Sequence, residues 1–363
     1  MAMITIFPPA HTQHHPPHEF LNGALVTAHE SPSRANIIYD ALQRAALGPI
    51  LPPRAFGLDP IRAVHDLQYL EFLEHAYERW VAAGGSPAAV LPDTLAVRRM
   101  DRRSTNPLAL PGYYASDLGA PIVAGTYQAA RDSADVALTA ADLLLNGEHA
   151  VYALCRPPGH HAGSDMYGGY CYLNNAAIAA EYVGVRCQES GVSKASGDTQ
   201  ATRQRIAILD IDYHHGNGAQ QIFYERDDVL TVSIHADPLR DYPYFSGYAD
   251  QRGAGAGLGY NLNIPLEAGV TNERYLTILD QTLMTITDFN PQFLVLSAGF
   301  DTFAGDPVAE NGGGFALTAE AYPQIGRRIA ALGIPTLIVQ EGGYAVAALG
   351  ENVIGLLRGF MGT

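Results

Sequence analysis

Apolar positions along this chain come in two rhythms, and the two alternate. Short runs of β-favouring residues at 150–154, 207–209, 229–234, 262–264, 293–296 and 335–339 read as buried strands. Between and around them, apolar residues recur at helical spacing over 33–47, 64–81, 126–145, 174–185, 218–224, 272–287, 318–332 and 346–359. Ser33 is placed to cap the first of these helices. Leu67, Leu70, Phe72, Leu73 and Tyr77 give the second an apolar face, and the third is rich in alanine. This alternation predicts an α/β fold, with a central, mostly parallel β-sheet and helices on both faces. Such sheets place their active sites beyond the carboxyl ends of the strands.

Chemistry-bearing groups cluster where that rule puts them. The run 207–209 leads into Asp210, Asp212, His214 and His215, with Gly216 and Gly218 beyond. Residues two apart on an extended segment point the same way, so Asp210, Asp212 and His214 are placed to converge. Two oxygens and a nitrogen suit a borderline cation such as Zn²⁺. The competing reading, a strand running into a solvated acidic loop, does not account for four such groups after a buried strand. Past 150–154 comes Cys155-Arg156-Pro157-Pro158-Gly159-His160-His161, a rigid turn presenting two adjacent imidazoles suited to acid–base work. Asp301, five residues past 293–296, is a candidate third ligand beside Asp212 and His214, and three protein ligands leave a position for water. Glu341-Gly342-Gly343-Tyr344 offers a phenol on a glycine-hinged turn, either a core aromatic or a hydrogen-bond donor to an oxyanion. Together these parts suggest metal-assisted hydrolysis.

Composition narrows the field. About half of the 363 residues are hydrophobic and 16% are charged, which suits a large core, and we expect residues 1–363 to form a single catalytic domain. The formal net charge of −15 argues against nucleic acid or an anionic membrane as partner and is compatible with a cationic substrate. Three cysteines, Cys155, Cys171 and Cys187, are too few for a disulfide framework and read as reduced core residues. No apolar run approaches the length of a membrane span and no secretory signal is visible, so a cytoplasmic protein is expected. His11, His14, His15 and His18 lie among prolines and read as a surface loop near the active-site mouth. The punctuated stretch 82–121 reads as a functional or interface loop, and the polar stretch 188–204 as a mobile surface loop.

Five motifs in order resemble the histone deacetylase superfamily, and within it the bacterial acetylpolyamine amidohydrolases and related deacetylases. They are Arg156-Pro157-Pro158-Gly159-His160-His161-Ala162, Gly169-Tyr170-Cys171-Tyr172-Leu173-Asn174-Asn175, the run from Asp210 to Gly218, the run from Gly299 to Pro307, and Glu341-Gly342-Gly343-Tyr344. The resemblance implies the arginase/deacetylase-like fold and a Zn²⁺ (Fe²⁺ being the other metal to consider) held by Asp212, His214 and Asp301. It makes His161 the general base and acid and His160 its electrostatic partner, with Asp210 orienting His160 and Asn217 behind His161. Many members carry Asp at the Asn217 position, and Asn should leave the imidazole less basic. Tyr344 matches the oxyanion-stabilising tyrosine. Tyr170 and Tyr242, with Gly169, match the walls of a narrow tunnel for an acylated aminoalkyl chain.

The resemblance also implies structural K⁺. One site would use Asp210, Ser233 and the carbonyls of Asp212, His214 and Ile234; a second would use carbonyls of Phe223, Arg226, Val229 and Tyr260. It implies a homodimer or higher homo-oligomer, with 82–121 at the interface and tunnel mouth. Leu108 and Gly119 stand where one well-studied type has glutamates, so Asp117 is the candidate to attract a distal ammonium. The expectation is a zinc-dependent deacetylase of small N-acetylated amines, a small cationic acetylamine being the substrate. A protein acetyl-lysine deacetylase is the runner-up. A ureohydrolase-like enzyme would need a second transition metal, and a non-catalytic acetylamine-binding protein would not need every catalytic position filled.

Overall fold

The computed structural model describes residues 2–189, 204–309 and 313–363, so the expected mobile loop at 188–204 lies mostly outside the described residues. In chain order the strands are β1 (Ile4–Ile6), β2 (His18–Leu21), β3 (Ala24–Thr27), β4 (Ile50–Leu51), β5 (Ala150–Ala153), β6 (Ile206–Asp210), β7 (Val229–Ala236), β8 (Asn261–Leu266), β9 (Phe293–Ala298) and β10 (Thr336–Gln340). The helices are α1 (Pro32–Ala45), α2 (Asp59–Arg62), α3 (Leu67–Ala82), α4 (Pro111–Tyr114), α5 (Thr126–Leu145), α6 (Asn175–Glu189), α7 (Asn217–Phe223), α8 (Asn272–Phe289), α9 (Ala321–Ala330) and α10 (Val346–Met361).

Eight strands form one sheet in the order β4-β1-β5-β10-β9-β6-β7-β8, and every pairing is parallel. Successive residues of a strand face opposite sides, so both sets must be apolar to be covered. In β6, Ile206 and Ile208 join α3, α5 and α6 in one core, while Ala207 and Leu209 join α1, α8, α9 and α10 in another. The alanines of α5 and α6 are buried and let those helices approach closely.

The expected sheet with helices on both faces is present, and all six expected strands are found. β1 and β4 are only three and two residues long, too short for an apolar run to mark them. The separate antiparallel hairpin β2–β3 is an addition to the expected elements and has a local signal: Asn22 and Gly23 both take positive φ, 51° and 80°, as a two-residue Asn-Gly turn requires. Helix starts also differ: α9 begins at Ala321, three residues after its expected start. α1 begins at Pro32, so Ser33 lies inside it and does not cap it. α3 begins at Leu67, where the Asp66 side chain accepts from the amides of Gln68 and Tyr69.

α9 and α10 cross at two glycines. A Cβ on Gly359 would lie 2.0 Å from the carbonyl oxygen of Pro323, and one on Gly326 would lie 2.1 Å from that of Leu356. These contacts are with backbone, which cannot rotate away. Gly359→Ala should therefore cost about 2–3 kcal/mol by overpacking, although alanine is the better helix former. A lowered urea midpoint with an unchanged slope is the expected result.

Candidate active site and metal centre

β5, β10, β9 and β6 are neighbours in the sheet, although two of them come late in the chain. The chain passes from β5 out to β6, β7 and β8, then returns to fill the gap with β9 and β10. Four loops distant in sequence therefore meet at one carboxyl edge. They carry His160 and His161, Asp212 to Asn217, Asp301, and Glu341 to Tyr344.

Asp212, His214 and Asp301 are buried, and each offers a ligand atom within 4.8 Å of the others. Backbone amides tie off other lone pairs. Asp212 accepts from the amides of His214 (2.9 Å) and Gly342 (2.9 Å), and Asp301 Oδ1 accepts from that of Tyr213 (2.8 Å). Asp301 Oδ2 lies 3.0 Å from His214 Nδ1. Burial, reinforced by Asp212, pushes the Asp301 carboxyl up to about 7. A dication relieves that repulsion, so the donor set fits a metal. The i, i+2 expectation holds only for Asp212 and His214. Asp210 faces elsewhere, to His160 Nδ1 at 2.9 Å, and its Oδ1 accepts from the Asp212 amide.

The two imidazoles lie with ring centres 3.9 Å apart and have different partners. His160 faces the Asp210 carboxylate, whereas His161 Nδ1 lies 2.6 Å from the neutral Asn217 Oδ1. Burial opposes the charged form of His160, but Asp212 and Asp210 outweigh it and push the pKa up to about 10. His161 is driven well below its usual value by burial, His160 and His214.

Tyr344 lines the same cavity. Its loop is held by Asp306, which accepts from the amides of Tyr344 and Ala345, and by Arg34. The Arg34 guanidinium donates to the carbonyls of Gly343 and Glu341, both at 2.7 Å, and sits 4.5 Å from the Tyr344 ring centre. Glu341 Oε2 accepts from the amides of Gly159 (2.7 Å) and His160 (3.2 Å), joining the tyrosine loop to the imidazole turn.

The cavity encloses about 280 Å³, and Gly169, Tyr170 and Tyr242 line it with the metal-ligand candidates. The Tyr242 ring stands edge-on to His161, centres 4.9 Å apart. A Cβ on Gly169 would lie 2.3 Å from the His161 ring, so that position requires glycine. Asp117 lines the mouth, with its carboxylate already engaged. It accepts from the Tyr242 hydroxyl (2.6 Å) and from the amides of Gly169 (2.8 Å) and Gly119 (2.8 Å), which makes it a buttress of the wall.

Of the residues expected at the first K⁺ site, Asp210 and Ser233 are paired in the parallel register, and the Ser233 hydroxyl lies 2.8 Å from His235 Nδ1. Of the second set, the carbonyls of Phe223 and Tyr260 each accept one backbone amide, from Arg226 and Thr231.

The reading of the N-terminal histidines is also corrected. His11 and His14 are buried, not part of a surface loop, whereas His15 and His18 are exposed. The carbonyls of His11 and His14 accept from Arg156, which is itself buried and paired with Glu30. Burial lowers the pKa of His11 to about 4 and of His14 to about 3, so both are neutral. Cys155 and Cys171 are free and buried as expected, and the Cys187 side chain lies outside the described residues. Glu19, Glu30, Arg34 and Glu341 were not singled out as site residues. Glu341 has a signal in its motif; Glu30 and Arg34 stand four apart, but nothing local ties them or Glu19 to the site.

The fold and site define a metal-dependent amide hydrolase. The family model described as histone deacetylase domain matches residues 28–360, and the chain belongs to that family, which makes it a deacetylase with a catalytic metal. Acetylpolyamine amidohydrolases 2 and 1 of Pseudomonas aeruginosa are 44% and 45% identical to it over 363 residues, covering 99% of both chains. Acetylpolyamine amidohydrolase of Mycoplana ramosa is 41% identical over 360 residues, covering 99% of this chain and all of its own. The crystal structure of acetylpolyamine aminohydrolase from Burkholderia pseudomallei superposes with a TM-score of 0.89 at 40% identity, covering 99% of this chain and 98% of that one.

The neutral partner of His161 has a measurable consequence. A carboxylate at 217 would favour the imidazolium, and a base must be neutral to take a proton. Asn217→Asp should therefore move the acid limb of the kcat/KM–pH profile to higher pH, by about one unit or more.

Proposed function

We propose that this enzyme removes the acetyl group from small N-acetylated amines of the polyamine and diamine class, releasing acetate and the free amine. The observation that carries the reading is the tyrosine-walled cavity ending on Asp212, His214 and Asp301, which admits a thin chain with an amide at its tip. The names of the relatives at 41–45% identity over nearly the whole chain support it.

The metal is Zn²⁺ in this reading, with Fe²⁺ the alternative; bound at these three residues it supplies the Lewis acidity that activates water and polarises a carbonyl. The chain's own residues do the rest. His161 takes the proton of the attacking water, and Tyr344 donates a hydrogen bond to the oxygen that gains charge. The protonated imidazole then gives its proton to the leaving amine. His160, held by Asp210, contributes positive charge beside the developing anion.

The reading extends to one catalytic domain, a cytoplasmic location and structural K⁺ at the two expected sites. Among the described residues no helix is long and apolar enough to cross a membrane. A homodimer or higher homo-oligomer is supported by Val97, Met100 and Leu108, apolar residues exposed in the long loop.

The test is kcat/KM on N-acetylputrescine, N-acetylcadaverine, acetylspermidine and an acetyl-lysine peptide. We expect the free acetylamines to be preferred by about tenfold or more, about 1.4 kcal/mol in transition-state binding. Preference for the peptide would overturn the reading. On the best substrate, Tyr344→Phe should lower kcat by about 10²–10³, the usual cost of removing one oxyanion donor; unchanged turnover would remove Tyr344 from that role.

A further inference from the structure

The β2–β3 hairpin forms part of the cavity mouth, with Phe20, Leu21, Asn22 and Gly23 in its lining. Glu19 precedes them and points inward, with 1% of its surface exposed. A buried carboxylate is costly unless donors satisfy it, and Glu19 has three. Its Oε1 lies 2.9 Å from the Tyr170 hydroxyl and 2.7 Å from His29 Nδ1, and its Oε2 accepts from the His29 amide at 3.2 Å.

The Tyr170 bond is the one that reaches the tunnel. Tyr170 has φ of +67° and follows Gly169 at +51°. An aromatic residue resists this conformation, which persists only where its surroundings hold it. Asp117 grips the Gly169 amide from one side and Glu19 the Tyr170 hydroxyl from the other. Tyr170, with its ring centre 5.4 Å from that of Tyr344, is thus held through the amide that precedes it and through its hydroxyl. The two walls are built alike, because Tyr242 is held by Asp117 as Tyr170 is held by Glu19.

We propose that Glu19 is a positioning residue for substrate selection. Acting through the Tyr170 hydroxyl, it ties the mouth hairpin to the tunnel wall and sets the tunnel's width. The inference rests on the cavity being the substrate tunnel, as the proposed function has it. Because Glu19 touches no reacting atom, its loss falls on substrate binding.

The test is a double-mutant cycle on residues 19 and 170, read as KM and kcat separately. Glu19→Ala and Tyr170→Phe should each raise KM about tenfold and change kcat less than about threefold. The double variant should be no worse than the worse single, since both remove the same contact. Glu19→Gln, whose amide oxygen still accepts from the phenol, should return KM to within about threefold of the parent.

Independent effects, multiplying to about a hundredfold in the double variant, would overturn the proposal. So would losses confined to kcat, failure of Glu19→Gln to rescue, or a silent Tyr170→Phe, the last of which decides the matter even if Glu19→Ala does not fold. The cycle uses whichever acetylated amine or peptide the parent turns over fastest, so its failure is separate from failure of the substrate assignment. If none is turned over, the affinity of a short alkyl hydroxamate for the parent and the same four variants, by calorimetry, replaces KM.

Discussion

Two carboxylates buried against each other constrain this molecule more than any other contact. Asp212 and Asp301 sit with His214 at the carboxyl edge of the sheet, out of water, where like charges repel strongly and hydration cannot relieve them. Burial and that repulsion push Asp301 up to about 7. The cost is met partly by amides of Tyr213, His214 and Gly342, which fix the carboxylates in place. The remainder falls to a cation. This arrangement tolerates no slack: a Cβ on Gly299 would lie 1.9 Å from Asp212 Oδ2, and one on Gly342 2.6 Å from oxygens of both aspartates.

Around that centre, loops are locked to one another by buried charges that do not line the cavity. Glu30 pairs with both Arg34 and Arg156; Arg34 holds the Tyr344 loop, and Arg156 sits at the start of the imidazole turn. Glu341 bridges the same two loops. Breaking such a pair strands a charge in a dry interior, so these links are held together by the cost of separating them. The N-terminal segment joins this network through the carbonyls of His11 and His14. That is why two histidines in a proline-rich stretch end up buried and neutral.

What could be read from the sequence follows from distance along the chain. Buried parallel strands announce themselves as apolar runs, and the groups just beyond them are legible because the fold class fixes where active sites lie. Asp212, His214, His160 and His161 were readable on those grounds, and Asp301 and Tyr344 became specific through their motifs. Asp210 shows the limit of local geometry: its spacing suggested a ligand of the metal, but its carboxylate is turned to His160 by a partner fifty residues away. Glu19, Glu30 and Arg34 escape a local reading for the same reason: Glu30 and Arg34 form an i, i+4 pair, but the groups that tie these three residues to the site (Tyr170, Arg156 and the carbonyls of Gly343 and Glu341) lie far along the chain. The strand order, which inserts β9 and β10 between β5 and β6, likewise has no local signature.

The most direct test of this account is anomalous diffraction at the zinc edge from crystals of the purified, zinc-loaded protein. The account predicts one strong peak among Asp212, His214 and Asp301, about 2.0–2.2 Å from a ligand atom of each. A peak at other residues, or none while the protein deacetylates its substrate, would contradict it.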